Sequence, residues 1–339
     1  MTRIIFDSDN TMGIHGCDVD DGLALLYALG RAVLDGRETG AYVEALCSSY
    51  GNNTLEAVHE NTARILGELG LDLPLFRGAE RAGEGVARLG DERERIIVAD
   101  DLRTRSAEET LCDSTSKAAR FIVRAGAKTP GKLSLAVTGS TTNIGQALAL
   151  DAGALSRYRE VVLMGGITET LLVGDRIMNE LNLSCDASAT LAIFDAANRG
   201  ANVAVITANN CLPAHFTIED FERDLYLPNQ PGGGYLMRTC SYWFTDMKRA
   251  YGIDGFCCWD VLVPLFMLRP QLFDVQPYDV VLDPRLIGAG FLEPAREGLP
   301  QARILLPRIH DPEAVRAETL RAWRAALEAL CETAPVRPN

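Results

Sequence analysis

The sequence predicts an α/β fold, an open, mostly parallel sheet flanked by helices, with its active site at the carboxyl ends of the strands. Three observations carry this. Short β-rich runs alternate with longer segments of helical periodicity, as a parallel sheet with crossover helices requires. Acidic, amide and glycine residues recur where those runs end, the edge on which open α/β sheets bind ligands. No Ser/Pro-rich linker and no internal repeat divides the 339 residues, so residues 1–339 read as a single domain.

The elements follow in order. The first strand is Ile4-Ile5-Phe6, the second lies in Ala41–Tyr50, the third in Lys132–Val137, the fourth in Val161–Met164 and the fifth in Asn202–Ile206. Between them Gly22–Leu34, Leu55–Leu69, Ser116–Ala125, Asn143–Leu148 and Ala187–Ala197 carry apolar residues at three- and four-residue steps, the spacing of one helix face. From about residue 217 to 268 the pattern is mainly helical, broken by Pro228, Pro231 and three glycines. Asp274–Leu282 and Ile304–Pro307 read as late strands and Pro312–Leu330 as a closing amphipathic helix.

Composition narrows the function. Lys and Arg total 33 against 46 Asp and Glu, a formal charge of −13, which disfavours phosphate backbones and anionic lipid surfaces. Small neutral or cationic ligands and a divalent metal remain open, whereas nucleic acid and membrane do not fit. Nine scattered cysteines with no C-x-x-C pair match neither a zinc ribbon nor a disulfide framework. With no basic-then-apolar leader and no membrane-length apolar run, the expectation is a cytoplasmic protein.

The informative residues are carboxylates and amides at strand exits. Asp7 and Asp9 follow the first strand, and Asp18, Asp20 and Asp21 precede the next helix. Carboxylates converging at one exit repel unless a cation or protons compensate, and all-oxygen ligation suits Ca²⁺ or Mg²⁺. A helix cap or a solvated loop explains any one of these acids, but not the group. Further exits carry Gly51-Asn52, Gly139–Asn143 and Gly165-Gly166, followed by Asn179-Glu180-Leu181-Asn182. Amides and a carboxylate together supply the donors and acceptors that vicinal sugar hydroxyls require. Trp259-Asp260 interrupts an apolar segment, where a carboxylate is costly to bury without a partner.

These stretches resemble the nucleoside hydrolases, the N-ribohydrolases of the inosine–uridine-preferring type and their purine-specific relatives. IIFDSD with DVDDGLALL, YGNNTLEAVHENTARIL, VTGSTTNIGQAL, VVLMGG, NELNLSCDASA and WDVL occur in the family's order, from Ile4 to about Leu282. The resemblance implies a Ca²⁺ at the bottom of the pocket, a small-molecule nucleoside substrate, a role in purine metabolism and nucleoside catabolism, and a homodimer or homotetramer. Carried over, Asp9, Asp21 and Asp260 would bind Ca²⁺ through carboxylates and Thr142 through its carbonyl, with Asp9 as general base. Asp20, Glu180 and Asn182 would hold the ribose hydroxyls, Asn52 would orient sugar and water, and Met164 would line the pocket.

Three departures from the family pattern bear on substrate choice. Ten residues, NTMGIHGCDV, separate Asp9 from Asp20 where the family has a compact loop, so either the insertion is tolerated or Asp18 takes a role given to Asp20 or Asp21. Trp259 stands where many members have His, which resembles the purine-specific branch and implies a slight preference for purine nucleosides. That branch's second stacking Trp has no counterpart in Phe76–Arg105. The residue expected at the ribose 5′-hydroxyl falls at Gly174-Asp175, with Asp175 or Asn179 as substitute. His59, His215 and His310 read as structural, and His15 as a residue of the inserted loop.

Two other readings compete. Ile4–Thr11 also resembles the D-x-D-x-T opening of haloacid dehalogenase-type phosphohydrolases, with Asp7 as nucleophile, Asp9 as acid/base and Mg²⁺ as cofactor. Against it, the later motifs of that family are missing. A non-catalytic nucleoside- or sugar-binding relative on the same fold is the third.

Overall fold

The computed structural model describes residues 1–82, 115–226 and 231–333. Its centre is an eight-stranded sheet in the order β11-β12-β8-β5-β4-β1-β2-β3. These strands are β1 (Thr2–Ser8), β2 (Ala41–Ser48), β3 (Leu75–Arg77), β4 (Leu133–Val137), β5 (Glu160–Met164), β8 (Val203–Ile206), β11 (Phe273–Val281) and β12 (Gln301–Ile309). The pairings from β3 through to β12 are parallel, and β11 adds to β12 antiparallel at the edge. The central strands are buried along their length, which is why they read as continuous apolar runs rather than as alternation. Two short hairpins lie outside the sheet, β6–β7 (Leu172–Val173, Arg176–Ile177) and β9–β10 (His215–Phe216, Phe256–Cys257).

Helices cover both faces. On one side α1 (Asp20–Thr39) packs along α11 (Pro312–Thr333), close enough that a Cβ at Gly30 would run into the Ala322 backbone. The same layer holds α9 (Leu262–Leu268), and the fully buried Trp323 donates its indole N–H to the Leu23 carbonyl at 2.8 Å. On the other side lie α3 (Lys117–Lys128), α4 (Thr142–Leu150) and α5 (Ala187–Asn198) around Ile122, Ile144, Ile193 and Phe194. Thr54 caps α2 (Leu55–Glu68) and Ser116 caps α3, each accepting a backbone N–H, which sets where those helices start. Residues 217–268 contain α7 (Ile218–Asp224), α8 (Pro231–Tyr251) and α9, after the single turn α6 (Ala208–Cys211); α10 (Pro284–Gly288) comes later. Pro228 and residues 83–105 of the Phe76–Arg105 segment lie outside the described residues.

The chain order fixes the crevice. It starts at β1 in mid-sheet, winds outward through β2 and β3, then returns to β4 on the other side of β1 and winds on through β5 and β8. The winding reverses between β1 and β4, where flanking helices diverge and the strand exits are left uncovered. Asp7 is in register with Val137, so Asp9 and Thr138 leave the sheet side by side.

Candidate active site

Asp9 is fully buried just past β1. Its Oδ2 accepts the Asn52 N–H at 2.6 Å, joining the exits of β1 and β2. Gly51 makes this approach possible, because a Cβ there would occupy the position of the Asp9 carboxylate. Burial lifts the Asp9 carboxyl from 3.8 to about 6, against the neighbouring Asp21 carboxyl and the Asn52 N–H, which hold it down.

Asp20 and Asp21 open α1, with their acids at its positive end. Asp260 arrives from the turn before α9, some 240 residues later, and its own N–H points at Asp20 Oδ2 at 3.3 Å. Ligand oxygens of Asp20, Asp21 and Asp260 all lie within 4.8 Å of one another, and all three residues are buried. Thr138, the first residue after β4, donates its hydroxyl to Asp21 Oδ1 at 2.6 Å. Burial first and the neighbouring aspartates second push Asp21 and Asp260 well above the usual carboxylate range.

The oxygens left over are instructive. Asp7 Oδ2, Asp9 Oδ1, Asp21 Oδ2 and Asp260 Oδ1 are buried without a hydrogen-bond partner, and the last three belong to the carboxylates beside the cavity. Asp20 differs, since its two oxygens accept the N–H groups of Asp21 and Asp260. Three unpartnered carboxylate oxygens in one buried cluster fit a hard divalent cation, which oxygen donors of this kind hold.

Above the carboxylates opens a cavity of about 170 Å³ walled by Asp18, Asp20, Asn52, Thr138, Asn179, Glu180, Asn182 and Asp260, with Trp259, Met164, Leu171 and Met178 as its apolar side. Asn182 is anchored by its amide, which donates to the carbonyls of Thr138 at 2.7 Å and Met164 at 3.2 Å. Glu180 accepts the N–H groups of Leu183 and Ser184 at 2.8 and 2.9 Å, so the turn that follows fixes it.

Most residues singled out in the sequence meet here, and three do not. Thr142 opens α4, its hydroxyl paired with Tyr50 and donating to Asp186, and it does not line the cavity. Its carbonyl starts the helical ladder, so the position beside the aspartates belongs instead to Thr138, which sequence reasoning missed. The signal was available, because Thr138 directly follows a buried β run. Asp175 sits exposed in the β6–β7 turn, while Asn179 reaches the cavity. Asp7 is likewise outside the cavity wall, its Oδ1 accepting the Asn143 amide N–H at 2.7 Å and its Oδ2 buried without a partner. The inserted loop is folded inward: Met12 is fully buried, Asn61 donates to the carbonyls of Asn10 and Met12, and exposed His15 stacks on Tyr242 at 4.5 Å.

The family model described as inosine-uridine preferring nucleoside hydrolase matches residues 4–305. The chain belongs to this nucleoside hydrolase family. "Probable uridine nucleosidase 2" of Oryza sativa subsp. japonica is 24% identical over 278 residues, 80% of this chain and 75% of the relative. "Pyrimidine-specific ribonucleoside hydrolase RihA" of Shigella boydii is 25% identical over 264 residues, 75% of this chain and 78% of the relative. Among solved structures, "Purine-Preferring Ribonucleoside Hydrolase from Gardnerella vaginalis" superposes with a TM-score of 0.72 at 22% identity, covering 96% of this chain and 99% of that one. Membership makes the protein an enzyme that hydrolyses the N-glycosidic bond of ribonucleosides, and the phosphohydrolase and non-catalytic readings fall with it. No helix among the described residues is long and apolar enough to cross a membrane.

Proposed function

We propose that this nucleoside hydrolase is calcium-dependent, releases ribose and free base, and favours purine nucleosides slightly. The observation that carries the calcium reading is the trio of unpartnered buried oxygens on Asp9, Asp21 and Asp260, which would hold the ion. When bound, the ion would offset the carboxylate charge and lower the pKa of a water, easing its deprotonation by Asp9. Asp9 takes a proton from the water as it attacks C1′; the C1′–N bond breaks, the base takes up a proton from solvent, and Asp9 returns its proton to solvent, so the net change is addition of one water. Positive charge grows on the ribose as that bond stretches, and the fixed carboxylates around it stabilise this charge. Asp20, Glu180 and Asn182 hold the ribose hydroxyls, with Asn52 orienting the sugar and water and Asn179 at the far hydroxymethyl end. The purine reading is supported by Trp259, buried in the cavity wall beside Met164, where the larger ring system gains more from stacking.

The chain works as one domain in this reading, as a homodimer or homotetramer in the cytoplasm, in purine and nucleoside catabolism. Cys17, Cys47, Cys185, Cys211, Cys240, Cys257 and Cys258 are thiols rather than disulfides, which agrees with a reducing compartment; the oligomer rests on the family resemblance and is read by light scattering. The deciding experiment is a nucleoside panel assayed for free reducing sugar before and after chelation. Sugar release that is lost with chelator and restored by Ca²⁺ supports the proposal; full activity in chelator removes the calcium. Faster turnover of uridine and cytidine than of inosine and guanosine removes the purine preference.

A further inference from the structure

The ten-residue insertion brings a carboxylate into the cavity that the reaction as described does not use. Asp18 lines the cavity together with Asp20. Its Oδ1 is committed, accepting the N–H groups of Val19 at 2.6 Å and Asp20 at 3.2 Å. Asp18 belongs neither to the close group of Asp20, Asp21 and Asp260 nor to the unpartnered oxygens of Asp9, Asp21 and Asp260 that would hold the cation.

The loop that carries Asp18 is built to hold it there. The Thr11 hydroxyl donates to the Asp18 carbonyl at 2.9 Å, tying the two ends of the insertion together. Tyr242, from α8, donates its hydroxyl to the Cys17 carbonyl at 3.1 Å and accepts the Gly13 N–H at 3.3 Å. Arg64 of α2 donates to the Met12 carbonyl at 3.2 Å. A partly buried side chain next to a carboxylate at the cavity wall, on a loop pinned by two helices, is held in position by the fold.

We propose that Asp18 is a further substrate-binding residue, accepting a hydrogen bond from a ribose hydroxyl next to the one held by Asp20, and that Tyr242 is the positioning residue that keeps it in place. A site built to accept from a hydroxyl discriminates against the sugar that lacks it, because the acceptor is then left unpaired. The insertion therefore sharpens selection for the intact ribose and is indifferent to the base. This rests on the ribohydrolase reading above, and the wild-type enzyme tests that reading first, by whether it releases sugar at all.

The experiment compares wild type, Asp18→Asn and Tyr242→Phe on ribonucleosides and their 2′-, 3′- and 5′-deoxy analogues, with calcium affinity measured on each protein. Asp18→Asn keeps the shape and the Oδ1 acceptor that binds Val19 and Asp20, so the loop folds. The expected result is a kcat/KM loss of about 10- to 100-fold on ribonucleosides. The loss should shrink to under about 3-fold on one deoxy analogue, which identifies the hydroxyl, with calcium affinity unchanged. Tyr242→Phe should give a smaller loss with the same deoxy pattern. Equal losses on every sugar, no loss on any, or a fall in calcium affinity in Asp18→Asn would each overturn the proposal.

Discussion

Calcium binding should release protons. Ligand oxygens of Asp20, Asp21 and Asp260 lie within 4.8 Å of one another. At that distance and an effective dielectric of ~20, each pair of full charges repels by about 3.5 kcal/mol. Three ionised carboxylates would then store about 10 kcal/mol, the order of the whole stability of a domain. The metal-free fold avoids this by keeping protons. Burial raises all three carboxyls and also lifts Asp9 to about 6. A dication at the cluster reverses that balance, so each Ca²⁺ bound near pH 7 should expel about one to two protons. Calorimetry in two buffers of different ionisation enthalpy measures the number. The linkage also has a definite sign. These carboxyls have raised folded values, so without metal their contribution to stability is fully present below about 3.8 and is lost as pH rises through the folded values. The rise in Tm given by saturating Ca²⁺ should therefore grow from pH 5 to pH 8. Calcium that binds without proton release between pH 6 and 8, or a Tm increment that is flat with pH, would refute the reasoning.

Other outcomes follow from the same geometry. Asp9→Ala removes the proton acceptor and one of the three unpartnered oxygens, and kcat should fall by at least ~10²-fold in a sugar-release assay; near-normal rates would exclude Asp9 as base. Gly51→Ala places a methyl group where the Asp9 carboxylate lies. A displacement of about 1 Å there should lower kcat ~10²-fold with folding retained by circular dichroism, and unchanged kcat would show that the Asp9–Asn52 contact does not matter. Trp259→Ala should cost purine nucleosides about 2- to 10-fold more in kcat/KM than pyrimidine ones, matching the ~0.5–1.5 kcal/mol of aromatic stacking. Equal losses would remove stacking as the source of preference.

Much of this was legible in the sequence for local reasons. Strands buried on both faces show as apolar runs such as Val161–Met164, and helices show their buried face at fixed steps, so β1, β2, β4, β5 and β8 were found near their observed bounds. Three-residue β3 and the two-residue strands of the hairpins were not, because so few residues carry no period. The acids at the first strand exit were legible because Asp9 and Asp21 are close in the chain and no single cap explains the whole group.

Where a side chain ends up relative to residues far along the chain is a different matter. Thr138 and Thr142 are four residues apart in one Ser/Thr-rich stretch, and only the start of α4 and the register of β4 on β1 turn the first toward Asp21 and the second toward Asp186. Asp175 and Asn179 stood as equals until the hairpin put one in solvent and the other in the cavity. The sequence by itself determined the open parallel sheet, its flanking helices and which loops carry the chemistry, because hydrophobic periodicity and turn residues act over a few neighbours. The tertiary structure decided that Asp260 meets Asp20 and Asp21, and that their spare oxygens face one point, because closing a separation of 240 residues depends on the packing of the whole sheet and its helices.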